Sequence, residues 1–147
     1  KNPHYNMVQA PYNYFRRVLE EQEAKHVLLV CEDNKNPVIT KLQNSRIGID
    51  FVYHSGTLEE DINLILNAKT LALPGNSSFS RILAQTSSNI EKVYLPIPGN
   101  DPKLLKFDIE AVYVSIDDYI NFGQWKYDSF QKTMLIEHPL SKIRLYS

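Results

Sequence analysis

Thr70-Leu71-Ala72-Leu73-Pro74-Gly75-Asn76-Ser77-Ser78-Phe79-Ser80-Arg81 passes from an apolar run through a turn into a helical pattern. A strand that feeds a helix within a few residues is half of a repeating α/β unit, so this stretch sets the expectation for the whole chain. Its turn is also chemically loaded. A helix start leaves four N–H groups without intrahelical partners and carries about half a positive charge, so a phosphate there meets donors already aimed at it. Asn76, Ser77 or Ser78 can cap that start, leaving the other hydroxyls for a ligand. Arg81, in the first turn, opposes the helix dipole by about 0.3–1 kcal/mol unless an anion or a carboxylate compensates it. A bound phosphate removes the conflict. So does a neighbouring acid, with Ser77 or Ser78 acting as a plain cap.

Upstream of the quoted stretch the same alternation repeats. Tyr12 to Ala24 reads as a helix with Phe15, Val18 and Leu19 on one face and Arg16/Glu20 and Arg17/Glu21 paired at i,i+4 on the other. His26 to Cys31 is a near-continuous apolar run ended by Glu32-Asp33-Asn34, the pattern of a strand buried on both faces. Val38 to Asn44, after Pro37, is a short helix, and Gly48 to Tyr53 a second strand. Thr57-Leu58-Glu59-Glu60 has the form of a capping box, and Leu58, Ile62, Ile65 and Leu66 share one face of the helix it opens. Downstream, Ser77 to Ser87 is the next helix and Lys92 to Pro96 a fourth strand.

This order predicts a Rossmann-like three-layer α/β domain, doubly wound, with a mainly parallel sheet. Such sheets bind ligands outside the carboxyl ends of their strands. Three polar segments fall there: Asp33-Asn34, His54-Ser55-Gly56-Thr57 and Gly75 to Arg81. After the loop Pro98-Gly99-Asn100-Asp101-Pro102 the alternation blurs. Val112 to Ile116 reads as a strand, Gln131 to Glu137 as either helix or strand, and Asp117-Asp118-Tyr119 and Gly123-Gln124-Trp125 as tethers of the tail.

At 147 residues the chain fits one domain, residues 1–147, and can bury about two-thirds of its unfolded surface. Its 16 Lys plus Arg against 17 Asp plus Glu leave a net charge of −1, which gives no electrostatic reason to expect nucleic acid. Cys31 is the single cysteine, so no disulfide framework exists, and its apolar setting suits a small buried thiol. No apolar stretch approaches the ~20 residues of a membrane span. Asn76-Ser77-Ser78 is a glycosylation sequon, which would obstruct a ligand at that loop in a secretory compartment and so favours a cytoplasmic setting. The start at Lys1 instead of Met fits a piece of a longer chain.

With these residues in place, Ser55 to Pro96 resembles the carboxyl-terminal, donor-binding half of two-Rossmann-domain glycosyltransferases, in particular the α1,2-, α1,6- and protein O-fucosyltransferase group. The likeness rests on a helix bearing an acid, then Ala68-Lys69 and the run Leu71-Ala72-Leu73, then Asn76-Ser77-Ser78-Phe79-Ser80-Arg81, then a strand ending in Pro96. It implies that Asn76, Ser77, Ser78, Phe79, Ser80 and Arg81 hold the diphosphate of a nucleotide-sugar donor, most simply a GDP-sugar. Asp61 then contacts the base; apart from the resemblance, the strand-end cleft makes His54 and Asp33 further candidate base or sugar contacts. The partners implied are that donor, a glycan or protein acceptor, and an amino-terminal partner domain, with no metal. The basic His-x-Arg-x-Gly-Asp motif of such enzymes has no match in this chain, and Asn2-Pro3-His4 cannot replace it.

Other readings start from the same residues. Asp61 sits with Glu59 and Glu60 at a helix start, where negative charge is favourable without any ligand. A non-catalytic nucleotide-binding or interaction module needs only the pocket. A serine hydrolase would use Ser77 with His138 and Asp117 or Asp118, although Phe79 stands where that turn wants a small residue. His4, His26, His54 and His138 lack metal-ligand spacing, and Glu32-Asp33 suits a turn as well as a cation.

Overall fold

The computed structural model describes residues 3–45, 47–97 and 108–146. The loop expected at 98–102 and the first two residues lie outside these. The elements follow the expected alternation: α1 (Tyr12–Glu21), β1 (His26–Val30), α2 (Pro37–Gln43), β2 (Asp50–His54), α3 (Leu58–Leu66), β3 (Thr70–Ala72), α4 (Ser78–Thr86) and β4 (Lys92–Ile97). Then come β5 (Glu110–Ile116), α5 (Ser129–Glu137), a 3-10 turn (Leu140–Lys142) and β6 (Ile143–Tyr146).

Local chemistry explains most helix starts. Asn36 Oδ1 accepts from Val38 N at 2.9 Å with Pro37 in the first turn, where its missing N–H costs nothing. The capping box at α3 forms as written: Thr57 N donates to Glu60 Oε2 at 2.7 Å and Glu60 N to Thr57 Oγ1 at 3.2 Å. Asp128 Oδ1 accepts from Gln131 N at 2.9 Å and opens α5, which decides the ambiguous segment 131–137 as helix.

β1 and β2 pair in parallel, and β3, β4, β5 and β6 form a second sheet that is parallel except for β6, which runs antiparallel to β5. Along β3, β4 and β5 the side chains alternate between two cores. Ala72, Tyr94, Val112 and Val114 join the cluster containing Tyr14, Val18, Val38, Leu42 and Leu135 of α1, α2 and α5. Leu71, Leu73, Val93, Leu95 and Ala111 join Ala84 of α4 and Ile90. The period of two thus puts helices on both faces, the three-layer α/β arrangement.

Several expectations are corrected in detail. β1 is not buried on both faces: Leu29 packs on the core, but Leu28 is 45% exposed beside its register partner Val52 at 60%. An apolar run reports strand propensity and is blind to whether a helix covers the strand. Leu58, expected on the inward face of α3, is 65% exposed, and α3 buries no residue fully. Arg17 reaches Glu20 at 3.6 Å instead of Glu21, while Arg16 pairs with Glu20 at 3.0 Å as expected.

One segment had no periodicity to announce it. Val8, Ala10 and Pro11 are buried in a strap ahead of α1. Ala10 N donates to Pro74 O at 2.7 Å, and Gln9 bridges Gly75 in antiparallel fashion. The tail clamps this strap, as the tether residues suggested: Tyr119 Oη donates to Gln9 O at 2.8 Å and Trp125 N to Tyr5 O at 3.0 Å.

Candidate functional site

The carboxyl ends of β1, β2 and β3 meet on one edge. Cys31 N donates to His54 O at 3.0 Å, which joins the ends of β1 and β2. Asn36 Nδ2 donates to Gln9 Oε1 at 2.9 Å while Gln9 bridges Gly75, which joins the loop after β1 to the loop after β3. Gly75 is required there by space: a Cβ on it would lie 2.2 Å from Val8 O.

α4 begins at Ser78 with Ser77 as its N-cap in extended conformation, φ −95° and ψ 121°, but no side chain accepts a capping hydrogen bond. The starts of α2, α3 and α5 are each capped by a side chain, whereas α1, like α4, has no side-chain cap. What sets the start of α4 apart from that of α1 is the hydroxyls and the guanidinium grouped around it. Asn76, Ser78 and Phe79 are exposed, with Phe79 at 42%, and Ser77, Ser80 and Arg81 are half-buried around them. Arg81 N closes the first helical turn on Ser77 O at 3.3 Å.

The second cluster lies at the end of β2. His54 Nε2 faces Asp61 Oδ1 at 3.4 Å, with the two side chains 30% and 17% exposed. Asp61 thus turns toward the strand end and away from open solvent, while Glu60 takes the cap. Both facing atoms are buried, and neither makes a hydrogen bond. At 3.4 Å the two atoms are each other's polar partner and leave no space for a ligand atom between them, so a ligand at this edge would meet the other polar atoms of the two side chains. Gly56 lets them approach, since a Cβ there would lie 2.7 Å from His54 Nε2 and 2.2 Å from Glu60 Oε2.

Cys31, half-buried where a buried thiol was expected, stands next to this cluster. Burial, then the charges of Asp61 and Asp33, push its thiol up to about 11, so it is protonated at neutral pH and inert as a nucleophile. Asp33 is exposed, and its carboxylate accepts from Lys35 N at 2.9 Å and pairs with Lys35 Nζ at 3.1 Å. Those bonds hold its carboxyl below the ordinary range and make it first of all the former of the turn after β1.

The hydrolase triad is not assembled. His138 is 6% exposed and packs edge-on against Tyr119 at 4.9 Å, in the layer of α1 and α5, whereas Ser77 leads α4 on the opposite face. Asp117 is committed to Ser115 Oγ at 2.6 Å and to Arg144, and Asp118 to Lys142 at 2.7 Å. These four charged side chains and Asn121 line a polar depression of about 530 Å³ at the end of β5. Among the described residues no three His, Cys, Asp or Glu side chains converge as a metal site requires, and no helix is long and apolar enough to cross a membrane.

Gln9 and Asn36 are the residues that sequence reasoning missed at this edge. Asn36 was visible as the cap before Pro37, but Gln9 carries no local signal. Comparison with known families, curated proteins and solved structures returns no significant match.

Proposed function

We propose that the edge formed by the ends of β1, β2 and β3 binds the donor nucleotide of a fucosyltransferase-like glycosyl transfer, with the sugar passed to a glycan or protein acceptor. The observation that carries this reading is the start of α4, whose amides lack a side-chain cap beside the half-buried Ser77, Ser80 and Arg81. A diphosphate there would accept from the first-turn N–H groups and the serine hydroxyls, with the guanidinium of Arg81 answering the charge that grows on the departing diphosphate. The pair His54 and Asp61 stands at the end of β2 on the same edge. A carboxylate suits the adjacent N–H donors of a guanine, and the imidazole suits a sugar hydroxyl.

The experiment is isothermal calorimetry of the folded chain with GDP, UDP and their sugars. Saturable binding of a nucleoside diphosphate supports the reading, and absence of heat with every one of them overturns it. Release of diphosphate in the presence of a glycan acceptor separates a working transferase from a module that binds and turns nothing over. The lack of a match to the basic motif favours the second outcome for this chain taken alone.

A further inference from the structure

β2 has an open edge whose outward main-chain groups match those of a second copy running antiparallel. Among the described residues it pairs with β1 alone. Asp50 N donates to Lys25 O at 2.9 Å and His54 O accepts from Cys31 N at 3.0 Å, so the even-numbered residues of β2 turn their main-chain groups toward β1. By alternation, those of Phe51 and Tyr53 point outward. Among the described residues no turn, loop or cap bond reaches the main chain of either.

Edges of this kind are usually blunted by a lysine, a proline or a bulge. The strand Asp50-Phe51-Val52-Tyr53-His54 has none of these, and its register with β1 is unbroken. Instead it presents Val52 at 60% exposure with Leu28 at 45% beside it.

We propose that the chain self-associates through this edge, two copies pairing their β2 strands antiparallel about a two-fold axis at Val52. That register is the one the backbone permits. Phe51 and the partner's Tyr53 exchange both main-chain bonds, as do Tyr53 and the partner's Phe51, which uses every outward donor and acceptor of the strand interior. Val52 meets its own copy in the non-hydrogen-bonded site, where opposed side chains come closest. At the ends Asp50 lies opposite the partner's His54 in register, but the Asp50 carboxylate faces His26 and the His54 imidazole its own Asp61, so the contact rests on the main-chain bonds and on Val52. A closed two-fold contact of this type cannot propagate into a filament. The outcome is a continuous sheet β1-β2-β2-β1 in which the two Val52 side chains lie side by side and shield each other from solvent.

The test is sedimentation velocity of the wild-type chain and of Val52→Lys, joined to oxidative cross-linking of Val52→Cys. A lysine fits a 60% exposed position without disturbing β1, but two of them on the axis repel. The expected results are a wild-type dimer at micromolar concentrations and a monomeric Val52→Lys with an unchanged circular-dichroism spectrum. Val52→Cys should form a disulfide-linked dimer under mild oxidation, because residues in a non-hydrogen-bonded antiparallel pair lie within disulfide reach at about 4.5 Å between Cα atoms. Glu59→Cys, exposed on α3, is the control and should stay monomeric. A wild-type chain that sediments as a monomer throughout, a folded Val52→Lys that remains dimeric, or Val52→Cys linking no faster than Glu59→Cys overturns the proposal. Should Val52→Lys fail to fold, the two cysteine variants decide alone.

Discussion

Gly75→Ala is the most direct probe of how the candidate site is built. The new Cβ would lie 2.2 Å from Val8 O and 3.3 Å from Val8 C, contacts with backbone and not with the end of a flexible side chain. Relief therefore means moving the strap, which is fixed by Ala10 N to Pro74 O at 2.7 Å and by burial of Val8 and Ala10 to 1% and 3%. Overpacking against a rigid neighbour costs about 1–3 kcal/mol, and a backbone clash this deep belongs at the upper end, near 2–3 kcal/mol. At about 2.1 cal/mol/K per residue of unfolding entropy, this chain length corresponds to roughly 0.3 kcal/mol/K, so the midpoint should fall by about 7–10 °C. Differential scanning calorimetry reads this directly. Gly56→Ala is the comparison, because its Cβ would meet only side-chain atoms of Glu60 and His54, which can rotate away. Its loss should stay near the ~1 kcal/mol of a weakened cap. An unchanged melting temperature for Gly75→Ala, or a larger loss for Gly56→Ala, would refute the claim that the strap seals the end of β3.

Three further outcomes are expected. Arg81→Ala should weaken nucleoside diphosphate binding by about 1.5–3 kcal/mol, the range for a hydrogen bond to a charged group, and an unaltered calorimetric dissociation constant would remove Arg81 from the site. Burial lowers the pKa of the His138 ring below 6.5, with a bond to the Asp117 backbone and the charge of Asp118 opposing it. The unfolded chain thus takes up a proton near pH 6.5 that the folded chain refuses, so stability is complete above that pH and falls as the solution is acidified toward the folded value. Urea midpoints at pH 7.5 and 5.5 should differ in the wild type and converge in His138→Gln. Equal wild-type midpoints would contradict the buried neutral imidazole. Cys31, raised from 9.0 to about 11, holds about a hundredfold less thiolate than an ordinary cysteine. Iodoacetamide should label it more slowly in the folded chain than in urea, and equal rates would contradict its half-buried, protonated state.

What the amino-acid order determined by itself is short-range. The Thr57 and Glu60 capping box, the Asn36 cap before Pro37 and the turn closed by Asp33 onto Lys35 each involve groups within four positions, and all three form as local chemistry dictates. The alternation of strand and helix from Tyr12 to Ile97 follows from periodicity for the same reason. Tertiary structure decided what lies against what. Tyr119 reaches Gln9 across 110 positions, and no pattern in either segment marks the other as its partner. β6, a four-residue strand, becomes one only because β5 offers an edge to pair with. The apolar character of Leu28 and Val52 was legible, but their exposure was not, since burial belongs to the neighbour that covers a side chain and not to the side chain. The candidate site divides along the same line. The serine-rich turn announced itself at α4, whereas the approach of Asp61 to His54 required α3 to fold back on the end of β2.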